Sequence, residues 1–155
     1  MKTEPAQLNL VLAWLWILLG FVSGMILGLF FHGENWLGGY ASLKRRMYRL
    51  GHISFFGLGA VNLLFCFTVK IFALTGGLVD AASLALAIGA VTMPLCCVVM
   101  AHAPKAHLVF SIPVISLLVG GTLMLQVILQ TPAISAAGEI PTASANSQPS
   151  TPNSP

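Results

Sequence analysis

LNLVLAWLWILLGFVSGMILGLFF, residues 8–31, carries no Lys, Arg, Asp or Glu. A helix rises about 1.5 Å per residue, so such a run is long enough to cross a hydrocarbon core of about 30 Å. Three more stretches behave in the same way. Residues 50–69 read LGHISFFGLGAVNLLFCFTV, residues 81–101 read AASLALAIGAVTMPLCCVVMA, and residues 108–130 read LVFSIPVISLLVGGTLMLQVILQ. The whole chain has 155 residues, 57% hydrophobic and only 7% charged, with mean hydropathy +0.90. Soluble domains carry roughly 25% charge. Four such helices in so short a chain leave no soluble shell to bury them. The expected fold is therefore all-α, an integral membrane four-helix bundle running up-down-up-down. Residues 1–130 form the transmembrane domain, with helices at about 8–31, 50–73, 81–101 and 108–130. The first span is longer than a signal-peptide core and is followed by no small-residue cleavage pattern, so it reads as a retained helix.

The charges supply an orientation. Lys44, Arg45, Arg46 and Arg49 gather between the first two spans, and Lys105 lies between the last two. Positive residues favour the cytoplasmic side. Both termini are thus expected outside, in what reads as a bacterial plasma membrane. The segment GYASLKRRMYRL, residues 39–50, predicts a short interfacial basic helix: Tyr40, Leu43, Met47 and Leu50 share an apolar side, while Lys44, Arg45, Arg46 and Arg49 face lipid headgroups. One short basic run in a chain of net charge +3 gives no reason to expect nucleic acid as a partner. Residues 131–155 are rich in Pro, Ser, Thr, Ala and Asn and predict a disordered tail.

Inside the spans, Gly20, Gly24 and Gly28 recur every four residues and allow a neighbour to approach closely. His52, Phe55, Gly59, Asn62 and Cys66 draw one stripe along the second span. Asn62, halfway across, should point inward and make an intramembrane hydrogen bond. Ser83, Ala87, Ala90, Pro94, Cys97 and Ala101 form a narrow face on the third span, where Pro94 leaves one carbonyl without its helical donor. Trp14 and Trp16 suit an aromatic belt, and Asp80 suits a helix cap.

Four histidines remain. His32 closes the first span, His52 opens the second, His102 closes the third and His107 opens the fourth. The expected topology puts all four at one end. Imidazoles there could ligate a transition metal or a haem iron, with His52 and His102 as the leading pair and His32, His107 and Glu34 as further ligands. Interfacial histidines without any cofactor satisfy the same pattern. No glycine-rich nucleotide loop, catalytic triad or carboxylate pair is present, so an enzyme is not expected. Three readings follow. The first is an accessory or assembly subunit, partnered by the lipid bilayer and by other membrane helices in a homo-oligomer or a larger complex. The second is a haem- or metal-binding redox protein. The third is an oligomeric channel or transporter using Asn62 and the Pro94 break.

Overall fold

A computed structural model describes residues 5–131. Residues 1–4 and 132–155, including nearly all of the expected tail, lie outside the described residues. Four helices dominate: α1 Pro5–Phe30, α2 Leu43–Ile71, α3 Gly77–His102 and α4 Ser111–Gln130. Short 3-10 segments, Trp36–Gly38 and Pro104–Phe110, interrupt the connections before α2 and α4. All four helical regions are long and apolar enough to cross a membrane. Among the described residues there is no strand.

Heavy contacts join α1 to α2, α2 to α3 and α3 to α4, with a smaller contact between α1 and α3. The outer helices are consequently covered on one side. Val11, Trp14, Leu18, Phe21 and Leu29 are exposed on α1, as are Ile115, Leu118, Leu125 and Leu129 on α4. Exposed apolar surface on this scale suits hydrocarbon as the surrounding medium. The close approach of α3 to α4 is reciprocal. A Cβ on Gly89 would lie 2.5 Å from Leu117 Cγ, and one on Gly120 would lie 2.8 Å from Leu86 Cγ.

Several local expectations need correction. The basic run is no separate element. Ser42 caps α2 by accepting from the Arg45 N–H at 3.2 Å, and LKRRMYRL forms the first turns of the long helix itself. α2 therefore begins seven residues earlier than the hydropathy suggests. α3 also begins early, at Gly77, so Asp80 lies within its first turn and Gly76, not Asp80, is the cap residue. Trp16 leaves the aromatic belt. It is buried, and its indole N–H donates to the Ala90 carbonyl at 2.9 Å. That carbonyl lies four residues before Pro94, so it is the one whose helical donor the proline removes. Trp14, by contrast, is 63% exposed.

The α2–α3 connection closes on a paired backbone motif. Leu74 N–H donates to Val69 O at 3.0 Å and Ala73 N–H to Lys70 O at 3.4 Å, with Ala73 at φ 48°. Those two bonds satisfy carbonyls that a helix end otherwise leaves open, and buried Val69 and Leu74 pack together beneath them.

Candidate functional site

Two groups of interior polar side chains lie toward different ends of the molecule. At the first, Asn9 of α1, Asn62 of α2 and Ser83 of α3 meet in an interior that leaves both asparagines 0% exposed. Asn9 Nδ2 donates to Asn62 Oδ1 at 2.7 Å and to the Ser83 carbonyl at 3.4 Å. Ser83 Oγ donates to Asn9 Oδ1, and Asn62 Nδ2 donates to Leu58 O at 2.8 Å. Asn62 thus points inward as its stripe implies. Asn9 was not singled out in the sequence, although an Asn among leucines four residues into a span is a usable signal. An amide buried in hydrocarbon without partners is costly, and each asparagine here meets that demand with another interior polar group.

The opposite end is built around Arg45, His52 and His102. Arg45 is 1% exposed, unlike its neighbours Lys44, Arg46 and Arg49, which are exposed. Its Nη2 donates to Phe31 O at 2.7 Å and its Nη1 reaches Gly33 O at 3.5 Å. The guanidinium carbon lies 3.8 Å from the Tyr40 ring centroid and 4.3 Å from that of Phe31. Arg45 is therefore withdrawn from the set of headgroup contacts. It sits one residue past Lys44 on the helix, and that rotation of about 100° turns it under the loop. Its Nε has no hydrogen-bond partner among the described residues.

His52 lies nine residues after Leu43, about 13 Å along α2 at the usual helical rise. That is three residues past Arg49, so His52 lies about one helical turn beyond the last cation of the basic run. Gly24 of α1 makes room for its ring: a Cβ there would lie 2.7 Å from His52 Cε1. Gly20 does the same for Phe56, whereas nothing approaches Gly28 within 4 Å. The glycine face thus receives two aromatic rings rather than a backbone. Ser23 Oγ donates to Gly20 O at 3.0 Å and stands 3.0 Å from His52 Nδ1. With the hydroxyl proton on that carbonyl, the second bond closes when His52 carries its own proton on Nδ1. The lone pair then resides on Nε2.

His102 of α3 engages a different group, with its Nε2 3.1 Å from the Tyr48 hydroxyl. Tyr48 and His52 are four residues apart on α2 and share a face. The two leading histidines therefore each contact a hydroxyl of a neighbouring helix. His32, Glu34 and His107 are exposed. Among the described residues, no group of three or more His, Cys, Asp or Glu side chains is placed to hold a metal ion. Cys66, Cys96 and Cys97 are buried and free.

Between these residues lie two cavities. One, of about 290 Å³, is walled by Ile26 and Leu27 of α1, Phe55 of α2, Pro94 and Val98 of α3, and Trp36 from the loop. Ser23, Tyr48 and His52 border it, yet its lining surface is almost wholly apolar. The other, of about 490 Å³, lies among Leu37, Ser42, Leu43, Lys44 and His102. Trp36 borders the first cavity and Leu37 the second, while the Tyr48–His102 pair contributes one residue to each.

No family model matches the chain, and no curated protein or solved structure is similar to it, which leaves geometry alone to guide the functional reading.

Proposed function

We propose that this chain is an accessory or assembly subunit of a membrane complex, with its four helices alternating in direction across a bacterial plasma membrane. In this reading both termini lie outside. The Lys44–Arg49 run and Lys105 then lie on the cytoplasmic side, as the distribution of basic residues favours. The observation that carries the reading is the use made of interior polar groups. Asn9 bonds both Asn62 and Ser83, Trp16 bonds the carbonyl freed by Pro94, and Ser116 Oγ donates to Ala85 O at 2.7 Å. Each of these bonds joins one helix to another. A transport path would require intramembrane polar groups facing a water-filled route. Here they fasten a scaffold whose outer helices offer broad apolar faces to further helices.

Native electrophoresis of tagged membranes in a mild detergent tests this. The chain should migrate in a stoichiometric assembly well above its own 16.4 kDa plus bound detergent. Migration of all the material as a monomer would overturn the proposal.

One observation supports a second reading, a haem or metal ligand at His52. A ligating imidazole generally donates its other N–H to an orienting group, and Ser23 Oγ, 3.0 Å from His52 Nδ1, is placed to accept from the Nδ1–H tautomer. Visible spectra and metal content of the purified chain test it. A stoichiometric cofactor lost in His52→Ala would favour this reading, and a colourless, metal-free protein purified under gentle conditions would sink it.

A further inference from the structure

The two cavities and the exposed cations of α2 point to one ligand. We propose that the Arg45 end clasps a single anionic phospholipid, with one acyl chain in the 290 Å³ cavity and the headgroup beside Lys44 at the mouth of the 490 Å³ cavity. The proposal rests on the membrane-spanning reading above and adds to it a defined lipid site.

The chemistry of the inner cavity identifies the chain. Water is retained in a cavity only when polar partners hold it. Here the bordering polar groups already bond other groups: Ser23 with His52, and Tyr48 with His102. What remains is an apolar void. Its walls include Ile26 and Val98, which are 47% and 45% exposed, so the cavity opens toward the outer surface of the helices. In a bilayer that surface meets hydrocarbon, and the matching occupant is a hydrocarbon chain.

Charge identifies the headgroup. Lys44, Arg46 and Arg49 are exposed on the first turns of α2, and α2 contains no Asp or Glu. The N-terminal end of a helix dipole adds to the same positive potential. Lys44 lines the outer cavity together with Ser42 and His102. Phe55 of the inner cavity lies eleven residues after Lys44, about 16 Å along the helix. An acyl chain descending from a headgroup at Lys44 covers that distance.

Trp36 borders the inner cavity and supplies the measurement. The full chain carrying Trp14→Phe, which removes the lipid-facing indole, is reconstituted in phosphatidylcholine vesicles containing a minor fraction of phosphatidylglycerol. Bromine is placed on the acyl chains of one lipid or the other, at equal mole fraction. Brominated phosphatidylglycerol should quench the fluorescence at least about twofold more than brominated phosphatidylcholine. Lys44→Gln should lower the excess without disturbing packing, because Lys44 is exposed, and the triple variant Lys44→Gln, Arg46→Gln, Arg49→Gln should bring the two to equality; an excess unchanged in the triple variant would overturn the proposal. Val98→Phe, or Leu27→Phe if the first fails to fold, should remove more than half of the excess by filling the cavity. Equal quenching in the parent protein would overturn the proposal, as would an excess that both cavity-filling variants leave intact. Alkaline carbonate extraction separates the two levels of failure. A chain released by carbonate breaks the membrane-spanning reading, whereas a retained chain with equal quenching breaks only the lipid site.

Discussion

The Asn9 end and the Arg45 end solve the same problem by different means. Around Asn9, three helices meet through short side chains, and Phe65, Cys66, Val69, Val79, Ala82, Leu86 and Met124 fill the adjoining core. Around Arg45, one long cation is wrapped by loop aromatics and carbonyls, and two cavities lie beside it. Direct hydrogen bonds between small groups let helices close up. A guanidinium with the rings of Phe31, Tyr40 and, at 5.8 Å, Trp36 holds a loop in place. The first end joins three helices directly and has its cavity, of about 310 Å³, only out at the α2–α3 connection and the end of α4, whereas the second has cavities beside the buried cation itself.

The largest effect should come from Arg45. Arg45→Ala leaves the Phe31 carbonyl without its donor and opens a void under Tyr40, so a loss of about 3 kcal/mol is expected. Arg45→Lys should recover only part of it, because an ammonium cannot reproduce the planar stack. Unfolding of the purified protein against rising SDS fraction measures both. Filling substitutions come next and should differ between the ends. Ala82→Leu, at a fully buried position, should cost about 1–3 kcal/mol through overpacking. Val98→Phe, beside a cavity, should lie within about 0.5 kcal/mol of the parent. Equal costs at the two sites would erase the contrast.

Asn62→Ala should destabilise by about 1 kcal/mol, since interhelical hydrogen bonds in membranes are modest on average. A double-mutant cycle with Asn9→Ala should show coupling; strict additivity would mean that the pair contributes little as a unit. One small effect is a gain. Ala73 occupies a left-handed position at φ 48° that glycine adopts without steric cost, so Ala73→Gly should stabilise by about 0.5–1 kcal/mol in a thermal melt.

Uncharged runs in the sequence revealed the four helices long and apolar enough to cross a membrane, because a hydrocarbon interior excludes charge, a constraint that acts locally on each segment. Sequence spacing also placed Asn62 and the small face of α3 inward, because helical periodicity alone settles which residues share a side. Arg45 was less readable. Four basic residues within six positions look alike until the loop that covers one of them is in place, and that loop turns through positive φ at Leu37, Gly38 and Gly39. The start of α2 was missed for a related reason. Hydropathy marks the apolar part of a helix, whereas Ser42 marks where its backbone begins. The Pro94 break was visible in the sequence, but its partner Trp16 lies 78 residues earlier, and only the packed helices join them. The histidines shared an expected depth, yet common depth does not make neighbours. Ser23 and Tyr48, the hydroxyls that hold them, carry no motif of their own.

Under the proposed membrane-spanning reading, the Asn9–Asn62–Ser83 cluster also bears on how the chain would enter a bilayer. Asn9 emerges first from the ribosome and would meet lipid alone, with an amide exposed to hydrocarbon. Asn62 arrives on the next helix and accepts a hydrogen bond from it, so α1 and α2 can leave the insertion machinery as a hairpin with that pair already joined. Ser83 then gives α3 a specific docking point on this hairpin. α4 contributes no side chain to the cluster and joins through Ser116 and the Gly89–Gly120 contacts. Under the proposed membrane-spanning reading, polar residues that hold the mature fold would thus also favour an order of insertion, with the last helix free to be added late.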